Sequence, residues 1–246
     1  MKIIGIIPAR YGSSRLPGKP LIDICGKPMV CWVYNQALKA SKLDEVYIAT
    51  DDLRIKDVCQ KYDLNVIMTS PDCRTAANRM YEVSNKILAD FYVTINGDEP
   101  LIDPDVISAV VPDKIITDIE YGTNIITKIN KPAEVNDLSN IKVVFTEDMH
   151  ALYMSRTPIP TPYSSIEYDY YKHVGVIGYN KKMLEFYNTS EPGNFEKIEG
   201  IDTLRFLDYG KTLEFIKVKN SNSLSVDTVK DLEEVRLMMS QENKHE

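Results

Sequence analysis

The chain has 246 residues, of which 43% are hydrophobic and 26% charged, proportions that are ordinary for a globular protein of one large α/β unit. The formal net charge of −7 argues against nonspecific nucleic-acid binding, which is typical of proteins with a basic face, but leaves room for a local basic pocket that binds anions. The four cysteines form no CxxC pair and only three histidines are present, which argues against a structural zinc site and a disulfide framework.

Short apolar runs alternate with amphipathic segments through the first half of the chain. The predicted strands are residues 2–7, 45–50, 64–69 and 90–96, and the predicted helices are residues 28–40, 53–63, 76–89 and 103–111, with Pro28 in the first turn of one helix and Asp103 as the cap of another. This alternation indicates βαβ units and a parallel sheet. Such sheets bind ligands at the carboxyl ends of their strands, where residues 8–19, 50–52 and 96–99 fall.

The second half of the chain is less regular. Strands are predicted at residues 119–129, 140–148, 173–180 and 212–219, and helices at residues 195–210 and 227–241. Residues 153–165 are predicted to be a loop broken by prolines.

The sequence shows no targeting or membrane segment. The N-terminal apolar run of about six residues is shorter than the apolar core of a signal peptide. No stretch approaches the roughly 18 apolar residues of a membrane span. We therefore expect a cytoplasmic protein with no membrane partner and no nucleic-acid partner.

The segment that follows the first predicted strand is dense in cations and small residues. It places Arg10, Arg15 and Lys19 among Gly12, Ser13, Ser14 and Gly18. Glycines let a backbone approach an anion closely and three cations can neutralise a polyphosphate, so we favour a phosphate-binding loop over a solvated basic turn. The segment matches neither GxxxxGK[ST] nor GxGxxG, which excludes a Walker loop and a Rossmann dinucleotide fingerprint.

Four further side chains are candidates whose spacing leaves two interpretations open. Asp98 follows strand 90–96, where a carboxylate can hold Mg²⁺ together with substrate phosphates or simply occupy a surface turn. Asp227 precedes the last predicted helix and is explained by spacing as its N-cap. His173, beside Lys172, is either structural or part of a site for an anionic ligand, and Arg156 either faces solvent or reaches that ligand.

Segments along nearly the whole chain resemble one known family. They are PARYGSSRLPGKPL (8–21), VYIATDD (46–52), GDEP (97–100), ALYMSRTPIP (151–160), HVGVIGY (173–179) and VDTVKDLEEV (226–235). In these segments the chain resembles the 3-deoxy-manno-octulosonate (Kdo) cytidylyltransferases, the CMP-Kdo synthetases of lipopolysaccharide and capsule biosynthesis. The resemblance implies a single nucleotidyltransferase domain over 1–246, with a Rossmann-like α/β core of mostly parallel sheet at 1–115 and 173–246 and a smaller lobe at 116–172 that forms a homodimer.

The resemblance also implies a reaction and roles for individual residues. CTP and Kdo would give CMP-Kdo and pyrophosphate with Mg²⁺ as cofactor, a transfer that needs positioning and charge neutralisation rather than a covalent nucleophile. The implied nucleotide-binding residues are Pro8, Ala9, Arg10, Gly12, Ser13, Ser14, Arg15, Lys19, Arg79 and Asp98, of which Arg10, Arg15, Lys19 and Asp98 are implied to be catalytic. The implied metal ligands are Asp98 and Asp227, and the implied sugar-binding residues are Asn96, Arg156, His173 and Asp202.

Two segments depart from the pattern of the family. The family segment DHxSGTER corresponds to residues 72–79, where only Asp72 and Arg79 keep their identity, and the family segment QGDEP begins here with Asn96. We therefore expect an altered acceptor, such as a modified Kdo or another acidic sugar. Two alternatives stay open: a non-sugar acceptor such as a phosphonate or polyol phosphate, with Arg74 as the extra cation, and a catalytically silent nucleotide-binding protein.

Overall fold

The computed structural model describes residues 1–12, 16–164, 167–219 and 224–242. In chain order the strands are β1 (Ile3–Ala9), β2 (Asp23–Ile24), β3 (Lys27–Pro28), β4 (Glu45–Thr50), β5 (Val66–Met68), β6 (Phe91–Ile95), β7 (Gly122–Lys128), β8 (Lys142–Phe145), β9 (Ala151–Ser155), β10 (Tyr171–Tyr179) and β11 (Leu213–Val218). The helices are α1 (Met29–Leu38), α2 (Leu53–Lys61), α3 (Ala76–Lys86), α4 (Pro104–Ala109), α5 (Pro132–Val135), α6 (Lys181–Thr189), α7 (Asn194–Glu199), α8 (Leu204–Asp208) and α9 (Val229–Glu242).

Seven of the strands form a central sheet in the order β11-β7-β10-β6-β1-β4-β5. Neighbouring strands along this path are parallel except at the two pairings of β10, so β10 runs against the other six. The predicted α/β class with a mostly parallel sheet is therefore confirmed. β8 pairs with β10 and β9 pairs with β8, which extends the sheet beside the start of β10.

The position of β1 at the centre of the sheet explains its unbroken apolar run. Ile3 and Ile7 belong to one buried cluster, and Ile4 and Ile6 belong to another on the opposite face. All four are at most 5% exposed, and burying each such side chain stabilises the fold by about 1.5–3 kcal/mol. A strand that is covered on both faces therefore shows no polar alternation.

The sequence makes predictions for the starts of two helices, α4 and α1. The carboxylate of Asp103 accepts a hydrogen bond from the amide of Asp105 at 2.9 Å, which confirms the predicted cap of α4. The prediction for Pro28 is wrong, because this residue precedes α1 instead of lying in its first turn. Pro28 has an extended backbone, with ψ of 144°, and pairs with Asp23 in the β2–β3 hairpin.

Three elements of the second half differ from the predicted ones. The predicted helix 195–210 is the two helices α7 and α8, because Gly200 adopts a left-handed conformation with φ of +62° that ends α7. Helix α6, which Asn180 caps, is missing from the predicted elements. The first three residues of the predicted loop 153–165 belong to β9, which ends before the prolines begin.

The predicted smaller lobe at 116–172 contains strands from two parts of the sheet. β7 lies inside the central sheet between β10 and β11, whereas β8 and β9 form the extension. The boundary of a separate lobe therefore stays a prediction. Among the described helices, none is both long and apolar enough to cross a bilayer.

Candidate active site

A cavity of about 500 Å³ lies at the carboxyl ends of β1 and β6, the edge of the sheet where the sequence places its candidate residues. The predicted site residues that line this cavity are Pro8, Ala9, Arg10, Gly12, Lys19, Arg79, Asn96, Asp98, Asp202 and Asp227. Three others, Ser13, Ser14 and Arg15, lie outside the described residues. The topology therefore brings together side chains that are more than 200 residues apart in sequence.

Lys19 lies between the two predicted metal ligands. Its ammonium donates to Asp98 Oδ2 at 2.7 Å and to Asp227 Oδ1 at 2.9 Å. Burial lowers the pKa of Lys19, but the charge of Asp98 and the hydrogen bonds to both carboxylates outweigh that effect and raise the pKa above its usual value. We refer to Lys19, Asp98 and Asp227 as the acidic corner.

Backbone contacts hold the turn after β6 in this corner. The amide of Val226 donates to the carbonyl of Asp98 at 2.9 Å, which brings the chain before α9 against the turn. A Cβ on Gly97 would lie 3.1 Å from the carbonyl oxygen of Pro8, so the turn also packs closely against the end of β1. These contacts place the carboxylates of Asp98 and Asp227 on either side of Lys19.

The start of α9 decides between the two interpretations of Asp227. The carboxylate of Asp231 accepts hydrogen bonds from the amides of Asp227 and Thr228, at 3.0 and 2.7 Å. Thr228 Oγ1 in turn accepts from the amide of Asp231 at 3.3 Å, which completes a capping box. Asp227 is therefore not the helix cap, and its carboxylate contacts Lys19 instead.

The acidic corner fits a divalent cation. In the described parts of the chain, no three His, Cys, Asp or Glu side chains cluster as a metal site. Mg²⁺, however, usually takes only one or two protein carboxylates, and substrate phosphates and water complete its shell. Asp98 Oδ1 is buried without a hydrogen-bond partner among the described residues, an arrangement that is unfavourable unless a ligand supplies one.

Arg79 is a buried cation in the cavity wall, where its side chain is held by two neighbours. It is 3% exposed, it hydrogen-bonds to Thr69 Oγ1, and its Nη2 lies 3.4 Å from Asp51 Oδ1. A guanidinium can be buried only with such polar partners, which here also fix its orientation.

The segment that departs from the family pattern forms one wall of the cavity. Cys73, Arg74, Thr75 and Ala76 all line this wall, and Thr75 also caps α3. Burial raises the pKa of the Cys73 thiol to about 11, so this side chain is neutral at physiological pH. Arg74 is exposed and contributes a positive charge to the wall.

Asn96 and Asp202 bring two groups of the predicted sugar site to the cavity. The side-chain amide of Asn96 donates to Glu99 Oε1 at 3.3 Å, and its backbone amide donates to the carbonyl of Gly175 at 3.2 Å. Desolvation and the charge of Glu196 raise the pKa of Asp202, and the charges of Arg205 and Arg10 partly offset this rise.

His173 and Arg156 do not line the cavity. His173 Nδ1 lies 2.8 Å from Asn124 Oδ1, and burial lowers the pKa of the imidazole to about 4. The guanidinium of Arg156 donates to three backbone carbonyl oxygens, those of Leu138, Glu199 and Gly200. The sugar-binding roles of both residues stay predictions.

We refer to residues 10–19 as the basic loop, and the ends of this loop are held by contacts that no sequence motif indicates. The ring of Tyr11 would lie 3.0 Å from a Cβ on Gly18, and the guanidinium carbon of Arg54 lies 3.3 Å from the centroid of the same ring. Asp52 holds Arg54 through two side-chain hydrogen bonds. The pair Asp52-x-Arg54 after β4 is visible in the sequence, but spacing does not show that it contacts a distant loop.

Sequence similarity to known proteins extends along nearly the whole chain. A family model described as cytidylyltransferase matches residues 4–214. The 3-deoxy-manno-octulosonate cytidylyltransferase of Escherichia coli is 38% identical over 241 residues, which cover 98% of this chain and 97% of that protein. The 8-amino-3,8-dideoxy-manno-octulosonate cytidylyltransferase of Shewanella oneidensis is 38% identical over 237 residues, which cover 94% of this chain and 96% of that protein.

Solved structures with the same fold include one of high similarity. The structure of CMP:2-keto-3-deoxy-manno-octonic acid synthetase complexed with CTP matches with a TM-score of 0.92 at 38% identity, over 98% of this chain and 100% of that chain. A cytidylyltransferase from Leptospira borgpetersenii matches with a TM-score of 0.63 at 18% identity, over 98% of this chain and 87% of that chain, and shows the fold alone.

Proposed function

This chain belongs to the cytidylyltransferase family, and from that premise we propose that it transfers CMP from CTP to a 3-deoxy-2-keto sugar acid, Kdo or a Kdo-like acid, and releases pyrophosphate. The predicted family resemblance and the predicted nucleotidyltransferase class are confirmed by the full-length relatives. The observation that carries the proposal is the acidic corner, which lies in one cavity with Arg10. This arrangement supplies cations for phosphates and carboxylates for a metal.

The triphosphate of CTP lies along the basic loop in this proposal. Arg10 and Lys19 supply cations from the two ends of the loop, and Arg79 supplies one from the cavity wall. Pro8, Ala9 and Gly12 contribute the adjoining lining of the cavity. The roles of Ser13, Ser14 and Arg15 stay predictions from the resemblance.

Asp98 and Asp227 would hold Mg²⁺ in the proposed site. When bound, the ion would neutralise charge on the α-phosphate and lower the pKa of the attacking hydroxyl. Lys19 occupies the space between the same two carboxylates, so it must release at least one of them before a cation binds. The phosphate oxygens of CTP are alternative anionic partners for the Lys19 ammonium. In this proposal Lys19 therefore leaves a carboxylate and contacts a phosphate when the nucleotide binds.

The transfer forms one P–O bond and breaks another. The anomeric hydroxyl oxygen of the acid bonds to the α-phosphorus, and the bond from the α-phosphorus to the oxygen that bridges the α- and β-phosphates breaks. Pyrophosphate leaves with that oxygen, and the hydroxyl proton passes to solvent. Arg10 and Lys19 stabilise the charge that develops on the α-phosphate and the leaving group. Asn96 and Asp202 line the cavity, and we propose that they bind hydroxyls of the acceptor. We also propose that His173 and Arg156 approach the acceptor from outside the lining.

Pyrophosphate release with CTP and Mg²⁺ tests the proposal. Kdo, 8-amino-8-deoxy-Kdo and a sialic acid are compared as acceptors, and turnover with the first, the second or both is expected. Turnover with the sialic acid alone would contradict the proposed acceptor class. CTP binding without turnover on any acid would contradict the proposed transfer and favour a silent nucleotide-binding protein.

A second candidate is a cytidylyltransferase with a non-sugar acceptor such as a phosphonate or polyol phosphate. The observation that favours it is Arg74, which adds an exposed cation to the cavity wall where the family pattern varies. Adding these acceptors to the same assay distinguishes the two candidates. An Arg74→Met protein that loses turnover with a phosphonate but keeps it with Kdo would support the second one.

We also propose a homodimer, as the family resemblance implies. Several large apolar side chains are exposed on or near β9, including Leu152, Phe195 and Ile198, at 58%, 48% and 78%. Light scattering after gel filtration is expected to show twice the monomer mass of 28.0 kDa. Ile198→Glu is expected to shift the mass towards the monomer, and a wild-type monomer would contradict the proposal.

A further inference from the structure

Strand β10 contains a bulge beside the cavity. His173 pairs with Ile126 and Ile177 pairs with Asn124, so residues 174–176 of β10 lie opposite a single residue of β7. On its other edge the bulge reaches the cavity lining, because the carbonyl of Gly175 accepts the backbone amide of Asn96. Bulges of this kind commonly reorient side chains next to active sites.

The bulge leaves no room for a side chain at its centre. A Cβ on Gly175 would overlap the side-chain amide of Asn96 and lie 2.9 Å from Glu99 Oε1. The position of Asn96 in the cavity therefore depends on the path that β10 takes through Gly175.

Asn124 holds that path from the side of β7. Its side chain is fully buried, and its Nδ2 donates to the carbonyls of Val174 and Val176, at 3.0 and 3.1 Å. These are the residues on either side of Gly175, so the Asn124 side chain bridges the centre of the bulge.

The same side chain determines which nitrogen of His173 carries the proton. Because Nδ2 of Asn124 is committed to carbonyl oxygens, Oδ1 is the atom that faces His173 Nδ1, at 2.8 Å. An amide oxygen only accepts, so Nδ1 must be the protonated nitrogen and Nε2 carries the lone pair. Nε2 makes no hydrogen bond within the described residues, and burial keeps the ring neutral by lowering its pKa to about 4.

We propose that Asn124 is a positioning residue for the acceptor half of the site: it holds the bulge that places Asn96, and it fixes His173 as the Nδ1–H tautomer. The inference rests on the proposed function, in which Asn96 and His173 face the acceptor. His173 then offers only a hydrogen-bond acceptor, so it binds a hydroxyl or amine proton of the sugar and not its carboxylate. Asn124 itself touches neither substrate.

The tautomer is measured first, on the wild-type protein labelled with ¹⁵N-histidine. The chain has three histidines, and the signal of His173 is identified by its loss in His173→Gln. The expected result is a neutral ring protonated at Nδ1 at pH 7. A ring protonated at Nε2 would overturn the inference, and this measurement needs no variant of Asn124.

Kinetics of a matched pair of variants test the positioning role. Asn180 is a buried asparagine of the same kind, because its Nδ2 donates to the carbonyls of Ile116 and Ile119 and its Oδ1 accepts the amide of Met183. It does not line the cavity. Asn124→Ser and Asn180→Ser are therefore expected to lower the melting temperature alike, which separates loss of stability from loss of position.

Asn124→Ser is expected to raise the KM for the sugar acid about tenfold, equivalent to about 1.4 kcal/mol, with the KM for CTP within twofold of wild type. It is also expected to give His173 mixed tautomers, whereas Asn180→Ser changes neither KM nor the tautomer. Equal kinetics of the two variants would overturn the inference. If the wild-type protein turned over no sugar acid, the proposed function would be wrong. The tautomer of His173 in the Asn124→Ser protein would then still show whether Asn124 determines which ring nitrogen of His173 carries the proton.

Discussion

The acidic corner and the proposed acceptor side of the site, which consists of Asn96 at the cavity and His173 outside its lining, are built in different ways. At the acidic corner the functional side chains touch one another directly, and Lys19 donates to both Asp98 and Asp227. On the acceptor side, Asn96 and His173 take their positions from residues behind them, Gly175 and Asn124. The proposed nucleotide half therefore depends on the identity of its own side chains, whereas the proposed acceptor half depends on the residues that support its side chains. We therefore expect substitutions in the two regions to have different effects on kcat and KM.

The largest effect is expected from Asp98→Asn in the acidic corner. The substitution removes one of the two carboxylates that would bind the metal and that accept hydrogen bonds from Lys19. We therefore expect kcat to fall about 10³-fold, in the range seen when one preorganised electrostatic contact is lost. The assay is pyrophosphate release at saturating CTP and Mg²⁺. Asp103→Asn, which changes a helix cap outside the cavity lining in the same chemical way, is the control. Equal activities of the two variants would contradict the proposed role of the Asp98 carboxylate in the reaction.

Lys19→Met should separate the two roles of this side chain. We expect kcat to fall about 10²-fold because a cation at the transferred phosphate is lost. In the absence of CTP, the affinity for Mn²⁺ should rise about tenfold, because the ammonium no longer competes for Asp98 and Asp227. Electron paramagnetic resonance of free Mn²⁺ measures this affinity. Lys27→Met, at a site outside the cavity lining, should leave kcat and Mn²⁺ binding unchanged.

A pH dependence of stability is expected from His173 on the acceptor side. Burial lowers the pKa of this imidazole to about 4 in the folded protein, whereas an unfolded chain has a value of about 6.5. Between these pH values the unfolded state binds more protons, so the free energy of unfolding falls as pH drops from 6.5 to 4, on the order of 2 kcal/mol for a ring that keeps some solvent contact.

The free energy of unfolding in urea is measured at pH 4.5 and pH 7 for the wild type and for His173→Gln. Subtracting the pH-dependent change of the variant from that of the wild type leaves the contribution of His173, because the other titrating groups are common to both proteins. Parallel stability curves for the two proteins would show that His173 is not held neutral by the fold.

The smallest effect is expected from Arg54→Ala at the end of the basic loop. Arg54 is exposed, so the melting temperature should change little. The KM for CTP should rise about fivefold, since a cation–π contact at an exposed site contributes about 0.5–1 kcal/mol. Gln60→Ala, an exposed residue of the same helix, is the control, and a larger rise in the KM for the sugar acid than for CTP would contradict the assignment of this loop to the nucleotide.

Much of the nucleotide half could be predicted because its signals are local. Arg10 follows β1 directly, and Lys19 and Asp98 lie in the segments that follow β1 and β6. Parallel strands bring such segments to one edge of the sheet. The identity of the cap of α9 could not be predicted, because Asp227 and Thr228 are both good caps. The capping box between Thr228 and Asp231 and the contact of Asp227 with Lys19 separate them.

The α/β class, the alternation of the longer strands and helices in the first half, and the family could be predicted from the sequence, because apolar periodicity and strand-end motifs are local properties. The two-residue strands β2 and β3 were not predicted, since they are too short to show a period. The folded structure was needed to show that Gly200 divides a predicted helix, that Arg156 binds backbone carbonyls, and that Asn124 contacts His173. A glycine inside a helical pattern is either tolerated or ends the helix, and its backbone conformation decides which. The contacts of Arg156 and Asn124 join residues that are distant along the chain, and no spacing encodes which of several polar groups will be the nearest partner.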